Sequence, residues 1–102
     1  MSRRKTKRLH EQKCCVYKHI TLDDNVAFYV GKDENYGKRA YYLGGRNEIH
    51  DSIVERHGAR VEVIEFVKNH TEAVEREMFW IRELHTYIQD PSGHCEHAAN
   101  KS

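Results

Sequence analysis

The segment Thr21-Leu22-Asp23-Asp24-Asn25 constrains this chain most, because it lies between two runs that read as strands. Asp and Asn stabilise tight bends through their own side chains. Cys14–Ile20 precedes the bend, and Val26–Gly31 follows it with Val26, Phe28 and Val30 on one face and Ala27, Tyr29 and Gly31 on the other. The pattern predicts an antiparallel hairpin. If Ile20 pairs with Val26, Tyr17 stands directly opposite Tyr29, about 5 Å apart at Cβ. A chain of 102 residues has room for one domain around this hairpin.

The remaining elements follow from their punctuation. A short helix is predicted from Asn35 to Leu43, terminated by Gly44-Gly45. A second runs from Arg46 to His57, with Gly58 in the position that favours a left-handed cap. Arg60–Val67 reads as a third strand, apolar on both faces toward its end and therefore expected at the centre of the sheet. Thr71 is the expected cap of a last helix reaching about His85 or Tyr87. Pro91-Ser92-Gly93 then breaks the chain before an irregular tail.

Composition narrows the class of protein. Apolar residues make up 38% and charged residues 32%, which suits a water-soluble domain, and no apolar run approaches the roughly 20 residues of a membrane span. The N-terminus lacks the apolar stretch of a secretory signal. Three cysteines, with Cys14 and Cys15 adjacent, suit free thiols in a reducing compartment, so a cytoplasmic location is expected. Charge is unevenly distributed. Residues 1–13 carry Arg3, Arg4, Lys5, Lys7, Arg8 and Lys13 against Glu11, giving +5 and leaving −4 for the rest of a chain of net charge +1. Such an arm suits either contact with a phosphate backbone or a solubilising tail.

One carboxylate is out of place. At helical spacing Ala73, Trp80, Ile81, Leu84 and Ile88 form an apolar stripe with Glu77 in its middle, while Glu72, Glu75 and Glu83 fall on the opposite half. An unpaired buried carboxylate costs several kcal/mol, so Glu77 requires a cation, hydrogen bonds or a raised pKa. An internal pair with Arg39 or Arg46, a tip that reaches the surface, and a metal ligand at the floor of a cleft all satisfy this requirement.

Other residues carry candidate chemistry. Gly31 leaves room beside Tyr29 for close approach of a backbone or phosphate, and Lys32 adds a cation. Arg39 is able to supply bidentate hydrogen bonds to a phosphate, or to lie on the surface. Arg46-Asn47 opens a helix, where backbone N–H groups favour anions. His50 is placed either to orient a tyrosine or phosphate or to sit as a satisfied histidine against the sheet. His94, Cys95 and His97 with Cys14 and Cys15 form a weaker zinc alternative without a Cys-x-x-Cys pair. The sequence has neither a P-loop nor a dinucleotide-binding glycine fingerprint.

Cys15-Val16-Tyr17 and Tyr29-Val30-Gly31, followed in order by Arg39, His50 and Glu77, resemble the paired signature and later active-site groups of the GIY-YIG nucleases. The small stand-alone phage and bacterial members are the most similar, and the resemblance spans residues 14–84. Cys15 replaces the first glycine, valine replaces isoleucine in both tripeptides, and Asp33 stands where relatives often have glycine.

The resemblance implies an α/β (α+β) domain over residues 14–102, with a three-stranded antiparallel sheet flanked by helices behind the basic arm. It implies a DNA endonuclease using Mg²⁺ or Mn²⁺ held by Glu77, with Tyr17 as general base, Tyr29 positioning water or phosphate, Arg39 stabilising the transition state, and His50 assisting. Gly31, Lys32, Arg46, Asn47 and the late Asn100 would meet the substrate. An unperturbed tyrosine pKa is about 10, so His50, Lys32 or Arg39 would have to lower that of Tyr17. Cutting both strands would call for a homodimer or successive nicks. The alternatives are a nucleic-acid-binding module that has kept the fold without turnover, and a protein-interaction domain whose arm binds an acidic partner or RNA.

Overall fold

The computed structural model describes residues 9–88 and 97–101. Most of the basic arm and the segment with Pro91-Ser92-Gly93, His94 and Cys95 lie outside the described residues. The fold is α+β, with a three-stranded antiparallel sheet and two helices. Strands β1 (Cys14–Thr21), β2 (Ala27–Asp33) and β3 (Ala59–Val67) are joined by helix α1 (Glu48–His57) between β2 and β3. Helix α2 (His70–Leu84) follows β3.

The strand order is β2-β1-β3, so β1 is central and β3 lies at an edge, contrary to expectation. Apolar residues on both faces of β3 reflect a bulge at Ile64, not a second hydrogen-bonded neighbour. Val16 pairs with Glu65 and Tyr17 with Val63, leaving Ile64 as the extra residue. Val63 then packs near Tyr17, while Ile64 joins the core on the opposite face.

The hairpin forms, but in another register. Thr21 donates its N–H to the Val26 carbonyl and Ile20 pairs with Ala27. A bulge at Phe28 then brings His19 opposite Tyr29 and Tyr17 opposite Gly31. The predicted Tyr17–Tyr29 pairing is therefore replaced by Tyr17–Gly31.

Each face of β1 has its own cover. Helix α2 lays Ala73, Trp80, Ile81 and Leu84 against Cys14, Val16 and Val30. On the other face Cys15 and Tyr17 pack with Ala40, from the loop after β2. Cys14 and Cys15 are thus buried free thiols on opposite faces. That placement prevents the adjacent pair from ligating one zinc together.

Residues 35–43 form turns instead of the predicted helix. Buried Asp33 explains the change, because its carboxylate accepts N–H bonds from Asn35 (2.6 Å), Gly37 (3.1 Å) and Ala40 (2.7 Å). Those amides are withdrawn from a helical ladder, and the positive φ of Tyr36 (58°) and Gly37 (91°) breaks it. Asp33 therefore organises this loop. Lys13, at the end of the arm, accepts the Tyr36 N–H at 3.0 Å, and His10 bonds the Tyr41 hydroxyl at 3.0 Å.

Both helices start on asparagine. Asn47 accepts the His50 N–H at 2.8 Å, and Asn69, not Thr71, accepts the Glu72 N–H at 2.9 Å. Glu72 reaches back to the Lys68 N–H at 2.7 Å, a reciprocal arrangement available to Asn69 but not to Thr71. Gly58 ends α1 with φ 69° and donates to the Val54 carbonyl. Helix α2 ends at a left-handed His85, so Ile88 lies beyond the helical stripe. No helix among the described residues is long and apolar enough to cross a membrane.

Candidate active site

The site begins with the bulged hairpin, which sets Tyr17, His19, Tyr29 and Gly31 on one face. A Cβ at Gly31 would collide with the Tyr17 phenol, so this glycine accommodates a neighbouring ring and not, as expected, an incoming ligand. The Tyr17 side chain is fully buried. Its hydroxyl accepts a 2.6 Å bond from Arg46 Nη1, and the same nitrogen lies 3.4 Å from the Tyr29 hydroxyl.

Arg46 is the arginine that joins the two tyrosines. Its Nη2 donates to the carbonyls of Arg39 (2.6 Å) and Tyr42 (2.8 Å), which fixes the guanidinium plane. The Arg39 side chain is exposed, and its backbone carbonyl braces Arg46. The resemblance implied Arg39 at the reacting centre and Arg46 among the substrate contacts. The turns organised by Asp33 reverse those positions.

Beneath the tyrosines lie two buried histidines. His19 Nε2 donates to the Ala40 carbonyl at 2.9 Å, which leaves His19 Nδ1 to accept from His50 Nε2 at 2.8 Å. The neutral form of both rings satisfies this chain. His50 Nδ1 then remains a buried acceptor without a hydrogen-bond partner. Burial pulls the pKa of each histidine down to about 4, and the nearby Arg46 charge acts in the same direction. His50 is thus uncharged at neutral pH and does not supply the cation expected to lower the pKa of Tyr17. It holds Tyr29 instead, edge-on at 4.8 Å between ring centroids, while His19 stacks on Tyr29 at 5.3 Å.

The pKa of Tyr17 moves opposite to the expected direction. Desolvation pushes it up to about 12, outweighing the attraction of Arg46 and Arg39 for the phenolate. Tyr17 is a buried hydroxyl behind Arg46. Tyr29 lines the open cleft.

That cleft, about 270 Å³, is bounded by Tyr29, Arg46, Asn47, Glu77 and Asn100, with Lys101 at its edge. Glu77 enters it from α2, half-buried, and accepts the backbone N–H of Lys32. Among the described residues no salt bridge reaches it. The Lys32 ammonium bonds Glu34 at 2.9 Å, and Arg46 is committed to the tyrosines and carbonyls. Burial raises the Glu77 pKa, with Lys32 opposing and Glu34 reinforcing the shift. The apolar stripe singled out this carboxylate, and of the alternatives it left open the internal pair with Arg39 or Arg46 does not form.

Asn100 and Asn47 are cleft walls whose side-chain amides are already engaged. The Asn100 amide accepts the Val30 N–H at 2.8 Å and donates to the Val30 carbonyl at 2.9 Å, covering the free edge of β2. Thr86 donates a further 2.6 Å bond to it. Asn47 caps α1 and donates to the Ala99 carbonyl at 3.0 Å. Both thus brace the wall of the cleft they line. His19 was missed by sequence reasoning, although its position two residues after Tyr17 placed it on the same strand face.

The chain matches no protein-family model, no curated protein and no solved structure.

Proposed function

We propose that the protein is a divalent-metal-dependent endonuclease that hydrolyses phosphodiester bonds in DNA. The observation that carries this reading is Glu77, a half-buried carboxylate with no ion pair among the described residues, in a cleft shared with Tyr29 and Arg46. A single hard oxygen donor beside open, polar space fits Mg²⁺ or Mn²⁺, which bind through few protein ligands and retain several waters. Glu77 would hold that ion. When bound, it supplies Lewis acidity toward the phosphate and charge opposite the leaving oxygen.

The chain's own residues supply the remaining chemistry. Tyr29, at the cleft surface, orients the attacking water. Arg46, between the two hydroxyls, places fixed positive charge beside the negative charge that develops on the phosphoryl oxygens. Tyr17 anchors Arg46 from behind, and the His19–His50 pair fixes the Tyr29 ring. The exposed Arg39 side chain lies outside this bonded set and would meet the nucleic-acid backbone, whereas Lys101 is paired with Glu48 at 3.5 Å. The attacking water is thus assigned to Tyr29 for positioning, with Tyr17 anchoring Arg46 behind it.

The test is nicking of supercoiled plasmid in Mg²⁺ by wild type and Glu77→Ala. Cleavage by wild type alone supports the proposal. Equal cleavage by both refutes the role of Glu77. Salt-dependent DNA binding by folded wild type without cleavage would favour a binding module that keeps the fold.

A further inference from the structure

A second cluster of chemically capable side chains forms where three distant parts of the chain meet. Asp24 lies in the β1–β2 turn, His57 ends α1, and His97 opens the segment that leads to Asn100. One ligand atom from each lies within 4.8 Å of the other two. His97 Nε2 is 3.1 Å from Asp24 Oδ2, and the His57 and His97 ring centroids are only 4.5 Å apart. Asp23 holds the His57 ring from its other side, with Oδ2 2.7 Å from Nδ1. The second Asp24 oxygen accepts the Thr21 hydroxyl, so the carboxylate is already oriented.

We propose that Asp24, His57 and His97 form a structural Zn²⁺ site, separate from the cleft, that fastens the C-terminal segment to the hairpin turn. Two imidazoles and one carboxylate are borderline nitrogen and oxygen donors of the kind zinc accepts, and a water at the exposed fourth position would complete the tetrahedron. Asp23 supplies the carboxylate that commonly fixes the tautomer and orientation of a ligating histidine. Asp24 is exposed and His57 and His97 are partly so, which gives an ion direct access. The same segment pairs Ala99 and Asn100 with the edge of β2. Zinc at its start would therefore stabilise the wall of the cleft at a distance, without entering it. Neither the tyrosines nor Glu77 contribute a ligand, so the proposal does not depend on nuclease activity.

The test uses full-length, chelator-treated protein titrated with ZnCl₂ alone, with metal content counted after dialysis and unfolding followed by circular dichroism. One bound zinc per chain and a rise in melting temperature are expected. His57→Gln and His97→Gln should each weaken binding about tenfold or more, and Asp23→Asn about tenfold. Exposed Asp24→Asn, nearly isosteric, should lose zinc while keeping the metal-free melting curve. Glu77→Ala should bind zinc as wild type does. Co²⁺ in place of zinc should give a tetrahedral visible spectrum without a thiolate charge-transfer band. The proposal is overturned if wild type retains no zinc, if Asp24→Asn and the double histidine variant bind as tightly, or if a thiolate band assigns the metal to the cysteines.

Discussion

Replacing His50 with glutamine should make the protein less sensitive to mild acid. Both His19 and His50 have folded-state pKa values of about 4 against an ordinary 6.5. The unfolded chain therefore binds protons that the folded chain refuses. Stability from these groups is fully present above pH 6.5 and is lost as pH falls toward 4. Between pH 7.5 and 5 the linkage amounts to about 2 kcal/mol for each imidazole, or about 4 kcal/mol together. A domain this size has a total stability of about 5–15 kcal/mol, so a loss of about 4 kcal/mol removes a large share of it by pH 5. Ordinary carboxylates contribute little in this window because they remain ionised.

His50→Gln retains an amide N–H for His19 Nδ1 and removes the unpartnered ring nitrogen. The variant should lose about 2 kcal/mol less than wild type between pH 7.5 and 5. Urea unfolding across that range, read by far-UV circular dichroism, measures both slopes. Proton NMR of the imidazole C2 hydrogens would identify which ring titrates. Parallel slopes, or a His50 resonance that titrates near 6.5, would refute the buried neutral pair and the positioning of Tyr29 that rests on it.

Glu77→Gln should abolish nicking and yet stabilise metal-free protein. A carboxyl whose pKa is raised by folding costs stability above its folded pKa and costs nothing below its unfolded value. The gain, about 1.4 kcal/mol for each tenfold difference in proton affinity, should therefore be seen in neutral melts and vanish near pH 4; lower stability at pH 7.5 would contradict this. Gly31→Ala should destabilise by about 1–3 kcal/mol, because the new methyl competes with the Tyr17 phenol, and an unchanged urea midpoint would mean that the ring moves freely. Asn100→Ala strips both bonds from buried Val30 and one from Thr86, so a loss of about 2 kcal/mol or more is expected, with faster amide exchange at Val30 as its local signature.

Much of the frame was legible because it is written in local signals. Turn residues between alternating runs announced the hairpin, Gly58 announced the end of α1, and Glu77 stood out as the acid on the apolar stripe of α2. Signals that depend on non-local partners were harder to read. Alternation reports which faces of a strand are covered, whereas strand order depends on which edges are bonded, so β3 and β1 were exchanged in rank. Asp33 gives no sign in sequence that its carboxylate will collect three amides, and that choice determines whether Arg39 or Arg46 meets the tyrosines. Asn100 bonds β2 across 70 positions of chain, a distance at which local patterning carries no information. Asp24 and His57 lie far apart in sequence and lack the close spacing that marks a metal motif.

The register illustrates how a partly wrong expectation can still place a site on the correct face. Pairing Ile20 with Ala27 instead of Val26 is a one-residue slip, which alone would send every later side chain of β2 to the wrong side of the sheet. The bulge at Phe28 adds a second residue and restores the faces, so Tyr17, Tyr29 and Gly31 share one side as predicted. The combined displacement of two residues moves Gly31, and not Tyr29, opposite Tyr17. That exchange lets the Tyr17 ring lie across the glycine and become buried, while Tyr29 advances to the mouth of the cleft. The different placement of two chemically identical side chains therefore originates in one extra residue, Phe28, in the β1–β2 ladder. Deleting the bulge would disturb the site more than altering either hydroxyl alone.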